Sequence, residues 1–416
     1  MNILLINHYA GSPEHGMEYR AFYFAREWVQ LGHRVLIVAA SFSHLRQRNP
    51  EMNSTLRRET IEGIDYLWVR TPSYQGNGAS RVRNMISFVV GLYGACKKPI
   101  TEFRPDMVIA ASVYTWDNWP AAYYAHRFGA RHIYELRDIW PLSPMELGGM
   151  SSWHPFIWTL QKAENFACRR SHKVISLLPA AQRHLIEHGM PADHFAFVPN
   201  GILKELWLDR APVPAEHTKA ICEFRKDKKY LIGYAGGIAI SNALDVLVEA
   251  CADPCVKKAG LGVVCIGHGI ENERLEIKAR ELGSHILFLP SVSRKAVPGL
   301  LEEFDILYLG WMKSPLYRFG ISPNKLYEYM MSERPIIHAV EAANDPVKDS
   351  GCGLSIPPQD VQSLCGAMLN LAELSPGSRS EMGQRGRKYV EENHDIKLLA
   401  KKYLEEMDVS AEVREM

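Results

Sequence analysis

Long apolar runs are the first thing this sequence of 416 residues lacks. None reaches the ~18 uninterrupted apolar residues that a bilayer-crossing helix requires. The opening MNILLINHYAG has neither the basic start nor the apolar length of a secretory leader. A cytoplasmic protein is therefore expected, one still able to touch a membrane surface. Charge of one sign is also missing. Lys and Arg number 48, Asp and Glu 47, and the net charge of +1 leaves no global footprint for nucleic acid. The eight cysteines are scattered, and the one close pair, Cys251 and Cys255, has no second pair at zinc-ligand spacing. Reduced structural thiols are expected rather than a metal or disulfide site. A G-x-G-x-x-G fingerprint, with its ribose-binding acid, is absent too, which disfavours a nicotinamide dehydrogenase.

What is present is alternation. The chain is too long for one core, so two domains are expected. Short apolar runs at 2–7, 34–40, 106–112, 132–136, 173–178 and 195–199 read as buried strands, and 17–31 and 154–170 carry helical periodicity between them. Residues 201–229, with RAPVPAEH and FRKDKK, read as linker and surface. The alternation then restarts at 230–236, 261–267, 285–290, 305–311, 335–340 and 353–358, and 377–407 reads as helical and charged. Strand–helix alternation with apolar strands implies an α/β fold of two doubly wound parallel sheets. Ligands are expected beyond the carboxyl ends of the strands.

The residues then carry a resemblance. The start EHGMEYRAFYFAREWVQLGHRVLIV, SFSHLR at 41–46, ELRDIWP at 135–141, VPNGI at 198–202, GYAGG at 233–237 and GISPNKLYEYMMSERPII at 320–337 follow one another at matching spacing. In that order the chain resembles the retaining family-four glycosyltransferases of the GT-B fold, in particular the bacterial branch that builds surface polysaccharides such as O-antigen, capsule and exopolysaccharide. The resemblance implies two Rossmann-like domains facing across a cleft. An acceptor-binding domain would span 1–205, a nucleotide-sugar donor domain 206–393, and a last helix, 394–416, would cross back to the first. It implies transfer of a hexosyl or N-acetylhexosaminyl group from a nucleotide diphosphate sugar, UDP-linked above all, to an acceptor hydroxyl with retention. A lipid-linked saccharide at the inner face of the cytoplasmic membrane is the implied acceptor, and neither metal nor cofactor is needed.

The donor residues concentrate in SPNKLYE. Ser322 suits an N-cap and Pro323 the first helical position, which would leave free amides around Asn324 and Lys325 to face a pyrophosphate. Lys325 and Glu328, three apart on one helix face, are assigned to pyrophosphate and ribose; a surface ion pair is the plain alternative. Many relatives carry two glutamates separated by seven residues, and the first would fall on Gly320 here. Gly236 and Gly237 let the backbone approach a diphosphate, unless they only form a tight turn. Relatives often place an Arg and a Lys just after that turn; both are absent here, so the charge falls to Lys325, then to Arg294 or Lys295. Pro290–Val292 would lie near the base.

In the other half, Gly16 and the amides up to Glu18 could face the donor phosphate. His15, Glu18 and Arg20, with His44 and Arg46 after the second strand, are candidates for the acceptor, or else residues of solvated loops. Asp138, at the end of a strand, could stabilise an oxocarbenium-like transition state or orient the acceptor, with Arg137 beside it; a turn cap is the alternative. The segment 81–98, apolar with basic ends, is either a membrane-interface helix or a buried crossover. A hydrolysing sugar-nucleotide epimerase of similar fold and a catalytically silent nucleotide-sugar binder remain as competing functions.

Overall fold

The computed structural model describes residues 1–16 and 19–407. Contacts divide them into two compact units: Met1–Asn200 with the helix Ile396–Met407, and Gly201–Asp395.

The first unit is built on eight strands: β1 (Asn2–Ile6), β2 (Arg34–Ala40), β3 (Leu56–Ile61), β4 (Ile64–Val69), β5 (Met107–Ala110), β6 (Arg131–Leu136), β7 (Lys173–Ser176) and β8 (Phe195–Phe197). Their order is β3-β4-β2-β1-β5-β6-β7-β8. Every pairing is parallel except β3–β4. The second unit holds β9 (Tyr230–Ala235), β10 (Leu261–Ile266), β11 (Ile286–Leu289), β12 (Ile306–Gly310), β13 (Ile336–Ala339) and β14 (Gly353–Ile356), ordered β11-β10-β9-β12-β13-β14 and wholly parallel. Both are doubly wound, as the alternation implied. The central strands are apolar along their length because helices cover both faces: β10 is buried at every residue.

The order reverses between β1 and β5 in one sheet and between β9 and β12 in the other. Loops leaving a parallel sheet on either side of such a reversal diverge and leave a crevice at the carboxyl ends. The loops after β1 and β9 are therefore where sites belong, and they carry Gly16 and Gly236.

Several expectations need correction in detail. The hairpin β3–β4 was not anticipated. The charged stretch 377–407 is two helices, Pro376–Asn393 and Ile396–Met407, separated at His394–Asp395. Only the second belongs to the first unit, where Trp28 Nε1 donates to Ala400 O at 3.1 Å and Tyr403 packs edge-on to Trp28 and Phe24. The helix Ala79–Tyr93 buries Met85, Phe88 and Leu92 yet exposes Ile86, Val90 and Tyr93 on its outer face. All eight cysteines are free thiols, including Cys251 and Cys255. Among the described residues no helix is long and apolar enough to cross a membrane.

Tyr403 is fully buried against two aromatic rings. Tyr403→Ala is expected to destabilise the first unit by about 3 kcal/mol. In urea unfolding followed by tryptophan fluorescence, one transition should move to lower denaturant and the other stay. An unchanged profile would show that the last helix adds nothing to the first unit's stability.

Candidate active site

In the second unit the turn after β9 is made by backbone. Gly236 adopts φ +155°, and a Cβ there would collide with the end of the Lys325 side chain. Gly237 has open space beside it, and its carbonyl accepts from the Tyr234 hydroxyl at 2.6 Å and from Asn242 Nδ2 at 3.0 Å. The helix Asn324–Met331 points its first turn at this loop. Tyr329 fastens it, its hydroxyl accepting from Ala235 N at 2.7 Å and donating to Ala235 O at 3.0 Å. Ser322 is not the N-cap: the helix begins one residue later, with Pro323 in the cap position at ψ 130°, and Ser322 Oγ lies 3.3 Å from the Tyr327 hydroxyl instead. The first helical amides belong to Asn324 and Lys325, and such first-turn donors have no partner within a helix.

Lys325 Nζ donates to the Tyr234 hydroxyl at 2.9 Å and lies 4.5 Å above that ring. Burial pushes its pKa down from 10.5 to about 8. Among the described residues no carboxylate lies within ion-pair distance of its Nζ. Glu328 is not an i,i+3 partner of the lysine; its Oε1 takes Arg294 Nη2 at 3.1 Å, in a half-buried pair. The structure thus brings Gly236, Gly237, Asn324, Lys325, Glu328 and Arg294 to one end of the sheet, while Lys295 pairs elsewhere, with Asp209. The missing first glutamate has a structural reason: Gly320 sits at φ +103°, a conformation hostile to any side chain. Asn344 then clamps the next residue, accepting from Ile321 N at 2.7 Å and donating to Ile321 O at 3.0 Å. At the expected base loop, the Pro290 carbonyl is taken by His217 at 2.9 Å and Ser291 Oγ faces His268 at 3.2 Å.

The first unit corrects more of the expectations. Arg20 is buried: its guanidinium pairs with Glu135 at 3.3 Å and donates to Pro199 O at 2.7 Å and Val198 O at 3.0 Å, tying the first helix to the strand end at β8. It is not presented to an acceptor. Arg46 is likewise buried, donating to the carbonyls of Ala40 and His8 over the Trp68 ring, so it braces the two loops. His15 packs on Trp68 with its Nδ1 2.8 Å from Ser12 Oγ. Asp138 acts as a turn cap: its Oδ1 accepts from Ile139 N at 2.8 Å and Ser143 Oγ at 2.7 Å, and its Oδ2 from Trp140 Nε1 at 3.2 Å. Arg137 is half-buried, its charge felt at the Tyr403 hydroxyl. Gly16 holds φ +61°, where a Cβ would strike Gln47. Glu18 lies outside the described residues.

His44 remains exposed, with its Nδ1 2.6 Å from the Tyr74 hydroxyl, and burial together with Arg81 lowers its pKa. Around it stands a group that the sequence reading missed. Arg81 donates to the Tyr9 hydroxyl at 3.2 Å and lies 5.8 Å from the rings of both Tyr9 and Trp140. His8, kept neutral by burial, contacts the Tyr114 hydroxyl at 2.8 Å. Tyr9 lies in the loop just after the first strand and Arg81 in the first turn of the helix Ala79–Tyr93; those positions were the available signal.

Two family models match the chain. Residues 15–201 match the glycosyl transferase 4-like domain, and residues 229–373 match glycosyl transferases group 1. No curated protein matches it in sequence. HepE of Anabaena, solved in complex with UDP, superposes with a TM-score of 0.68 at 16% identity, covering 98% of this chain and 100% of that one. Sucrose-phosphate synthase of Thermosynechococcus elongatus gives 0.69 at 16% identity and 97% of each chain. WaaG, a glycosyltransferase involved in lipopolysaccharide biosynthesis, gives 0.63 at 15%, covering 97% of this chain and 98% of its own. At such identities the likeness establishes the fold.

The displaced pKa of Lys325 is directly measurable. After reductive 13C-methylation, one lysine resonance should titrate with a midpoint at about 8 and vanish in Lys325→Arg. A midpoint at the ordinary 10.5 would mean that Nζ is hydrated and the pocket is not formed as described.

Proposed function

The chain belongs to the GT-B glycosyltransferases, and we propose that it transfers a sugar with retention from a UDP-sugar held by its second unit. The observation that carries this reading is Lys325: an ammonium removed from water, at a helix start, with no carboxylate against it. Such a group is completed by an anion. A pyrophosphate would meet Nζ, the amides of Asn324 and Lys325, and the open backbone at Gly237. Glu328, one helical turn on, would accept the ribose hydroxyls, with Arg294 holding the carboxylate in place. The uridine assignment rests on HepE, whose structure contains UDP.

In the transfer, the acceptor oxygen bonds to the anomeric carbon as the bond from that carbon to the phosphate oxygen breaks. The acceptor proton passes to the departing phosphate on the same face. Lys325 and the helix amides stabilise charge where it develops on the leaving group. His44, Arg81, Tyr9 and Trp140 are the residues of the first unit that we assign to the acceptor; Asp138 and Arg137 shape the turn that carries Trp140. We assign the acceptor to a lipid-linked saccharide at a membrane surface. Support comes from Ile86, Val90 and Tyr93, exposed on one helix face, with the Tyr123 ring tilted against Tyr93 at 5.6 Å and Arg83, Lys97 and Lys98 close in sequence.

Calorimetry with UDP, GDP, ADP and CMP should show UDP binding tightest. Lys325→Ala and Glu328→Gln should weaken it at least tenfold, or about 1.4 kcal/mol, with circular dichroism unchanged. Affinity should fall as pH rises through about 8, because the lysine sheds its proton there. Binding that ignores both substitutions would overturn the assignment; sugar turnover without acceptor would point to an epimerase, and binding without any turnover to a silent binder. Separately, Ile86→Ser/Val90→Ser/Tyr93→Ser should abolish sedimentation with anionic vesicles. If the wild type fails to sediment, the membrane assignment is wrong.

A further inference from the structure

Away from both sheet crevices, the helix Pro155–Arg170 and the helix Gln182–Glu187 place three metal-ligating side chains together. They are Glu164, fully buried, with His184 and His188 at 11% and 25% side-chain exposure. All three offer a ligand atom within 4.8 Å of the others. The two imidazoles stand four residues apart on one face, their centroids separated by 4.4 Å. His184 Nε2 lies 2.9 Å from one oxygen of Glu164, and His188 Nε2 lies 3.9 Å from the other.

The surrounding hydrogen bonds fix which nitrogen of His188 faces the carboxylate bare. Gln161 Nε2 has two hydrogens, and two acceptors take them: Glu164 Oε2 at 2.7 Å and Asn165 Oδ1 at 2.9 Å. His188 Nδ1 lies 2.8 Å from Asn165 Oδ1 and 3.0 Å from Gln161 Nε2, so it is left to donate to Asn165. When the ring is neutral, as a metal ligand must be, Nε2 carries a lone pair aimed at a carboxylate oxygen too far away for a hydrogen bond. Two electron-rich atoms facing each other across such a gap call for a cation between them. A tetrahedral ion with bonds of about 2.0–2.2 Å holds its ligands roughly 3.3 Å apart, and the two observed separations straddle that distance. A metal-bound histidine ordinarily donates its far ring nitrogen to an oxygen acceptor, and the carboxamide oxygen of Asn165 fills that place for His188.

We propose that Glu164, His184 and His188 bind one divalent transition-metal ion, zinc foremost, that staples these two helices across β7. Three protein ligands leave a fourth position to solvent. Two imidazoles and one carboxylate suit zinc and exclude preference for Mg2+, which favours oxygen ligands. The helix Gln182–Glu187 runs back from the carboxyl end of β7, so His188 sits toward the opposite end of the sheet from the loops that carry His44 and Trp140. The ion is separate from sugar transfer, and its presence does not depend on the transferase reading.

The test uses the full chain, stripped with chelator, dialysed and titrated with Zn2+ against a chromophoric competitor. One tight equivalent is expected in the wild type, with a rise in melting temperature that Mg2+ does not produce. Glu164→Gln and His188→Gln should each lose at least tenfold in Zn2+ affinity, while His126→Ala, an exposed histidine elsewhere, should keep it. Because His188 touches solvent, its substitution is compatible with folding even if the buried Glu164 variant misfolds. Absence of a stoichiometric Zn2+ equivalent in the wild type overturns the proposal. So does a Zn2+ affinity that survives the His188 change. UDP binding measured on the same variants separates the two claims, since loss of zinc should leave it intact.

Discussion

Lys325 occupies its place only because position 236 carries no side chain. A Cβ on Gly236 would fall on the lysine's own terminal atoms, and φ +155° would strain any residue that had one. The same region depends on two further glycines: side chains at Gly267 and Gly269 would strike the carbonyls of Gly236 and Ile238. The loop after β10 therefore closes onto the turn after β9, and that packing keeps water from the ammonium. Lowering a lysine pKa from 10.5 to about 8 corresponds to roughly 3 kcal/mol against the charged form. On the proposed reading, an arriving diphosphate would relieve that penalty and so favour anions at this site before any direct contact with sugar or base. Tyr329, bonded to both the amide and the carbonyl of Ala235, keeps helix and strand in register while this happens.

Most of the architecture was legible because buried parallel strands leave an unambiguous mark. All six strands of the second sheet stand out as apolar runs, and β1 and β2 do the same in the first. The hairpin β3–β4 was not legible for the opposite reason. Leu56–Ile61, LRRETI, is an edge strand with charged residues facing water, and its turn is built on Glu62 and Gly63 at φ 48° and 81°. Charge on an edge protects against aggregation, and it also erases the signal by which strands are read. The helix start at Asn324 was misplaced by one residue because Ser-Pro satisfies the rules for a cap equally well in either register. The Tyr327 hydroxyl, five residues ahead and 3.3 Å from Ser322 Oγ, is a partner that the cap rules do not foresee.

Side-chain roles were less legible than strands. Arg20 and Arg46 read as ligand-binding cations because arginine in a loop or at a helix start is ordinarily wet. Arg20 meets Glu135 and Pro199, far along the chain, and Arg46 meets the carbonyls of His8, 38 residues back, and of Ala40, six residues back, where a main-chain acceptor carries no sequence mark. Nothing local announces those contacts. Asp138 illustrates the converse. Its position at a strand end suits catalysis, but its immediate neighbours Ile139, Trp140 and Ser143 supply the donors that occupy it.

Buried ionisable groups in this chain resolve their charge in different ways, and the contrast locates function. Arg20 has a buried carboxylate in contact. Asp117, fully enclosed, is pushed up to about 7 and can shed its charge by taking a proton. Each arrangement is self-contained and stabilises the unit around it without asking for anything from outside. Lys325 alone in this comparison has a hydroxyl and a ring for company and no opposite charge against it. A folded chain tolerates such a group where a ligand of the missing sign completes it. In the reading proposed above, the missing partner is the diphosphate of the donor.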